Sequence, residues 1–223
     1  MDGMVVQNLT EEAVMRSGVQ LIELSAEWVV IEDRLLHRIL KSGSLRCLRL
    51  AYCSQISGNA WINMDKKAVL SEELELCHCS FLENMVDMLK IVRRSCPRLK
   101  LFRFNCRGYR RPLREFDDEA LVIAGNMPVL LHLHLFGNKL TNVGLKAILD
   151  GWLHLESLDL RQCFNVNVEG DLLKSCRDRL ITLRLPNDST VDYEFDATIN
   201  DGNSDYDEWR YDNPLAQKMR WYL

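Results

Sequence analysis

A strand-length segment with apolar residues three and then two positions apart recurs seven times along the chain, and nothing else in the sequence restricts the fold so strongly. The segments read LIELSA, LRCLRL, SEELEL, LKLFRF, LLHLHL, LESLDL and LITLRL. Their fourth residues are Leu24, Leu48, Leu74, Phe102, Leu133, Leu158 and Leu183, at spacings of 24, 26, 28, 31, 25 and 25 residues. A sequence that repeats at such a period builds a stack of supersecondary units, because one unit alone leaves its apolar face in water and its neighbours must cover it.

Period and leucine pattern resemble those of leucine-rich repeats, whose units run to roughly 20–29 residues; one longer unit stands between Phe102 and Leu133. Such repeats place Asn or Cys three residues after the last strand leucine, where the side chain turns inward to serve the loop backbone. Cys53, Cys79, Asn138 and Cys163 hold that position, while Arg107 replaces it in the fourth repeat and Ser71 replaces the first apolar position of the third.

Between strands the apolar period lengthens to that of a helix. Leu35, Leu36, Ile39 and Leu40 share a face, as do Met85, Met88, Leu89 and Val92, and Leu145, Ile148 and Leu149. Asp117 and Thr141 are expected to cap the helices that follow them. Pro97 and Pro128 stand where a helix stops and the next strand begins. The reading is an α/β leucine-rich-repeat solenoid: an open arc of about seven repeats, with a parallel sheet on the concave face and helices on the convex face. It divides into an N-terminal remnant or cap (1–17), the repeat domain (18–187) and an acidic, aromatic, partly disordered tail (188–223).

Several functional classes fall away. The first residues, MDGMVVQNLTEEAV, have no basic region leading into an apolar stretch, and no apolar run approaches the roughly 18 residues of a membrane span. With Cys53, Cys79 and Cys163 reading as reduced core residues, a cytoplasmic or nuclear location is expected. The net charge of −4 gives no overall attraction to nucleic acid or membrane. No GxSxG, Walker, GxGxxG or HExxH signature occurs, so neither catalysis nor a cofactor is expected. Cys77, His78 and Cys79 are adjacent and point to alternating faces, which suits core and surface roles better than a metal site. His132 and His134 share a face but lack a third ligand, and are read as recognition residues; no metal is expected.

Alternation along each strand points the leucines inward and their neighbours out of the sheet. The outward residues are Glu23, Ser25 and Glu27; Cys47, Arg49 and Ala51; Glu73, Glu75 and Cys77; Leu101, Arg103 and Asn105; His132, His134 and Phe136; Ser157, Asp159 and Arg161; Thr182, Arg184 and Pro186. The first half leans acidic, and the second is basic and partly aromatic. This mosaic has the composition of a protein interface. Arg49, Glu73, Glu75, Arg103, Asn105, His132, His134, Phe136, Asp159, Arg161 and Arg184 are therefore the candidate partner-binding residues, with Arg103 and Arg161 expected to face solvent.

Two stretches break the even charge. Residues 90–114 hold ten basic side chains and no acidic one, among them Arg93, Arg94, Arg107, Arg110, Arg111 and Arg114. Residues 188–213 hold nine acidic side chains against Arg210 alone, interleaved with Tyr193, Phe195, Tyr206, Trp209 and Tyr211. Pairing of the basic stretch with the acidic tail within one molecule is the favoured reading. Single-strand nucleic-acid binding is disfavoured, since Tyr109 alone stands among the arginines where several stacking platforms are needed.

CPRLKLFRFN, EFDDEALVIAGNMPVLLHLHLFGNKLTNVGLKAIL and HLESLDLRQCFNVNVEGDLLKSCRDRL resemble segments of the plant F-box/leucine-rich-repeat proteins. The likeness runs from about residue 18 to residue 196, with residues 55–70 diverging, and FGNKLTNVGLKAILDGWLHLESLDLRQCFNVN is its most specific stretch. It implies a substrate adaptor of cullin-based SCF-type ubiquitin ligases, in which an F-box grips the Skp subunit and the repeats hold a protein substrate for degradation. The first 17 residues are too few for the F-box helices, so the resemblance carries over the substrate-holding half and leaves Skp and cullin recruitment open. The alternative is an independent scaffold that sequesters a partner. A small-molecule receptor would need a nearly closed ring of more repeats.

Overall fold

The computed structural model describes residues 11–17, 20–57, 60–61, 72–79, 85–110, 117–125 and 129–199. Ser71, Arg111, Arg114, Pro128 and residues 200–223 lie outside the described residues. The chain divides into two compact units between Leu99 and Lys100.

In the first unit, β1 (Glu23–Glu27), α1 (Asp33–Leu40), β2 (Cys47–Ala51), β3 (Glu73–Cys77) and α2 (Met85–Ser95) follow one another. The strands are parallel, with Leu24 opposite Leu48 and Leu48 opposite Leu74. In the second unit the order is β4 (Leu101–Asn105), α3 (Asp118–Ala124), β5 (His132–His134), α4 (Asn142–Gly151), β6 (Ser157–Asp159), α5 (Gly170–Arg179) and β7 (Thr182–Arg184). Here Phe102, Leu133, Leu158 and Leu183 lie opposite one another in a parallel ladder. Each unit is therefore a leucine-rich-repeat stack in the register that the leucine spacing predicts. Leu48, Leu74, Phe102, Leu133 and Leu158 are fully buried, while Leu183 in the last strand is only half-buried.

The helices bury the faces read from the sequence: Leu35, Leu36, Ile39 and Leu40 on α1, and Leu145, Ile148 and Leu149 on α4. Gly144 allows a close approach between helices, because a Cβ there would sit 2.7 Å from that of Ala120 on α3.

The recurring cysteines tie each repeat to the one before. The Cys53 thiol donates to the Ala26 carbonyl at 3.5 Å, Cys79 to Leu50 at 3.3 Å and Cys163 to Leu135 at 2.9 Å. All three acceptors occupy the same repeat position. Asn138, at the equivalent place, accepts from the Leu140 N–H at 2.9 Å. Burial pushes the Cys79 and Cys163 thiols well above their ordinary value, so they stay protonated and able to donate.

One capping expectation is corrected. Thr141 caps α4, its hydroxyl accepting from Val143 N–H at 3.1 Å. Asp117 makes no cap bond to its own helix α3. Its carboxylate reaches one repeat onward instead, accepting from Thr141 N–H at 2.8 Å, Thr141 Oγ1 at 2.6 Å and Gly144 N–H at 3.0 Å. The stack brings the N-terminus of the next helix within reach, where backbone N–H groups without an intrahelical partner and the Thr141 hydroxyl can donate to the carboxylate. Asp33 makes the same kind of link in the first unit, accepting from the Ser57 N–H at 2.9 Å and from its hydroxyl.

Candidate functional site

The outward rows of the strands are the candidate surface, and each unit presents its own. In the first unit Arg49 is exposed on β2, with Nη2 3.0 Å from Glu73 Oε2 and Nε 3.7 Å from Glu75 Oε2. Glu73 is half-buried, but Glu75 is only 2% exposed, lying under Arg49 and accepting from the Cys77 thiol at 3.4 Å. Beside them Cys47 donates to Glu73 at 3.5 Å. Burial, joined by the Glu73 and Glu23 carboxylates and opposed by Arg49, pushes its thiol up to about 12, so it is not a thiolate nucleophile.

One feature of this unit escaped the sequence reading. Trp28, Tyr52 and His78, each directly after an outward triplet, all adopt left-handed φ (60°, 52° and 52°). Their rings stack, with centroids 4.0 Å apart for Trp28–Tyr52 and 4.9 Å for Tyr52–His78. The ladder continues one rung past the strands, Trp28 N–H donating to Ala51 and Tyr52 N–H to Cys77, both at 2.9 Å. That rung fixes the rings at about the strand spacing. The signal was present, since the three aromatic positions repeat at the leucine intervals.

In the second unit Arg103 on β4 and His132 and His134 on β5 are half-buried in the outward row. His134 Nδ1 lies 3.9 Å from Asp159 Oδ2. Burial, reinforced by the positive charge of Arg103, lowers His134 to about 4 despite the pull of Asp159, so its imidazole is neutral near pH 7.

The expectation that Arg161 faces solvent is overturned. Arg161 is 5% exposed and Asp159 is 3% exposed, and they form a buried pair. Arg161 Nη2 donates to Asp159 Oδ2 at 2.7 Å, Nε lies 3.1 Å from both carboxylate oxygens, and the Arg161 N–H donates to Oδ1 at 3.0 Å. Phe136 and Asn105 are likewise buried, as are Ala51 and Cys77 at the equivalent positions. Strict alternation fails there because the chain turns directly after each of these residues and the ladder gains its extra rung. Asn105 spends its side chain on that rung, accepting from Phe136 N–H at 3.2 Å.

What covers Phe136 and Arg161 is the chain itself. The segment after β7 runs back over the outward row. Asp192 bridges two arginines, 2.6 Å from Arg161 Nη1 and 2.8 Å from Arg184 Nη2. Tyr193 lies flat on Phe136, ring centroids 3.7 Å apart and planes within 1°. Phe195 meets Tyr193 edge-on at 5.8 Å. The Arg161 guanidinium sits 5.7 Å from the Phe136 ring and 5.8 Å from that of Tyr193, within cation–π range. Arg161 also donates to Ser189 O at 3.1 Å, and Gln162 to Ala197 O at 2.6 Å. Desolvation opposes ionisation of Asp192, but backbone hydrogen bonding and the charges of Arg161 and Arg184 outweigh it and hold the carboxyl below its usual value. The expected boundary at 187/188 thus does not end the packing. The acidic Asp192 pairs with Arg161 and Arg184, whereas the charge pattern points to the basic stretch 90–114.

Among the described residues no group of three His, Cys, Asp or Glu side chains is arranged to hold a metal ion. No described helix is long and apolar enough to cross a membrane.

Known proteins resemble the chain along most of its length. A leucine-rich-repeat family model matches residues 126–149. The F-box protein SKIP19 of Arabidopsis thaliana is 40% identical over 200 residues, covering 90% of this chain and 64% of its own length. Putative F-box/LRR-repeat protein 22 of the same plant is 45% identical over 168 residues, covering 75% of this chain and 52% of its own. Putative F-box/LRR-repeat protein 9, also from Arabidopsis, is 36% identical over 170 residues, covering 76% and 67%. The chain spans 64%, 40% and 52% of the length of three of the curated relatives it matches.

Proposed function

Since this chain belongs to the F-box/leucine-rich-repeat proteins, we propose that it is a non-catalytic, protein-binding repeat module that holds a substrate for an SCF-type ubiquitin ligase in the cytoplasm or nucleus. The observation that carries the reading is the outward strand row of each unit. In the first unit Arg49 and Glu73, and in the second Arg103, His132, His134 and Arg184, stand accessible or half-accessible on parallel strands whose inward residues are buried, apart from the half-buried Leu183 of β7. Arginine, imidazole and carboxylate groups on a rigid sheet give directional contacts at little entropic cost, which is how interfaces gain specificity. Such groups, presented outward by each unit, support contact with another chain.

Capture from a plant extract tests this, comparing the immobilised chain with a variant carrying Arg49→Glu and Arg103→Glu. The expected result is a protein retained by the parent, lost from the variant, and recovered together with Skp and cullin subunits. Unchanged far-UV circular dichroism and Tm would show that the variant is folded. A face-dependent partner without Skp would favour a sequestering scaffold over an adaptor. Retention that ignores both substitutions would place the binding surface elsewhere.

A further inference from the structure

We propose that the strand face of the second unit is a receptor for an acidic, aromatic peptide segment of a partner protein, an Asp-Tyr pair above all, and that residues 188–199 are its resident occupant. This rests on the strand face being the partner site, and adds the chemistry the site accepts. A carboxylate seated between Arg161 and Arg184 and a ring laid flat on Phe136 are contacts made by side chains. A segment arriving from another molecule with the same two side chains would find the same guanidinium fork and the same aromatic shelf.

The occupant is at the surface while what it covers is interior. No residue from 187 to 199 is buried, and Val191 is 95% exposed. Beneath it Phe136 is fully buried, and Arg161 and Gln162 are 5% and 4% exposed. The described sheet ends at β7, and the segment is held by the side chains of Asp192 and Tyr193 and by its Ser189 and Ala197 carbonyls, which accept from Arg161 and Gln162, rather than by a strand ladder. A segment attached in this way opens at small cost while the repeats beneath stay folded. Opening would uncover a full aromatic ring and two arginines, one of them already oriented by Asp159.

Tethering decides what can compete. Residues 188–199 follow β7 directly, so they meet the face at an effective concentration of the order of millimolar. A free segment with the same contacts loses to them, and a true partner must add contacts. Arg103, His132 and His134 stand on β4 and β5 of the same unit and supply positive and hydrogen-bonding groups for that purpose.

The probe is a fluorescein-labelled peptide of residues 188–199, DSTVDYEFDATI, titrated with the full chain and followed by anisotropy. The parent chain should bind it weakly. A chain carrying Asp192→Ala and Tyr193→Ala, its own segment disabled, should bind at least about tenfold more tightly. Adding Arg184→Glu to that chain should abolish the gain, and a peptide lacking the Asp and Tyr side chains should not bind. Hydrogen exchange on the parent should show amides 188–199 opening well before those of β5 and β6. The proposal fails if the disabled chain, still folded by circular dichroism, gains no affinity, if Arg184→Glu leaves the gain intact, or if amides 188–199 exchange only with global unfolding. Peptide binding without any Skp in the capture experiment would overturn the ligase reading alone. Face-dependent capture without peptide binding would overturn this inference alone.

Discussion

Arg161 shows how one residue's role depends on where its charge is satisfied. Its guanidinium lies against the Asp159 carboxylate in a buried pair, and removing Asp159 leaves that buried charge with the exposed Asp192 as its remaining carboxylate. Asp159→Ala should therefore cost about 3–5 kcal/mol, read as a drop in the urea midpoint. Arg184→Ala, at a half-exposed site, should cost less than about 1 kcal/mol. His134 gives a pH dependence of defined sign. Its folded pKa lies near 4 against an ordinary 6.5, so between those values the unfolded chain takes up a proton that the folded chain refuses. Stability contributed by neutral His134 is thus full above pH 6.5 and falls as pH drops toward 4. The loss amounts to about 2 kcal/mol by pH 5. His134→Gln should flatten the fall in urea midpoint between pH 7 and pH 5, and an unchanged slope would mean that another group titrates there.

At the scale of the element, the strands and helices are joined by side chains that act across repeats. Asp117 serves three donors of the next repeat, the N–H and hydroxyl of Thr141 at the N-cap of α4 and the Gly144 N–H in its first turn. Asp117→Ala should cost about 1–3 kcal/mol by stranding these groups, more than the roughly 1 kcal/mol of removing the cap with Thr141→Ala. Equal losses would show that water replaces the carboxylate at the joint. Gly137 marks a second constraint, because its φ of +67° and the Cys106 carbonyl, 2.3 Å from where a Cβ would stand, leave no room for a side chain. Gly137→Ala should lower Tm by several degrees through backbone strain. The same turn carries Trp28, Tyr52 and Gln162 in left-handed conformations elsewhere, where stacking between adjacent repeats holds Trp28 and Tyr52 and a hydrogen bond to Ala197 of the segment after β7 holds Gln162.

At the scale of the whole molecule, stability in a stack is shared between neighbours, since each repeat buries its apolar face only against the next. Leu133→Ala or Leu158→Ala should cost about 2–5 kcal/mol, and hydrogen exchange should show lost protection in the flanking strands as well as in the mutated one. Protection lost at one strand alone would contradict that coupling. The seven-fold leucine spacing was enough to determine the fold class and the strand register, because an apolar pattern must be buried and a period leaves one way to bury it. The inward cysteines followed from the same arithmetic. The surface did not, because exposure depends on what lies above a residue. Phe136 and Arg161 occupy outward positions by count yet are covered by residues some 30 to 60 places along the chain. Asp117 likewise precedes a helix but serves its neighbour. Local sequence fixes which way a side chain points from its own backbone; only the tertiary structure decides which distant groups meet it there, since those contacts depend on how the chain returns through space.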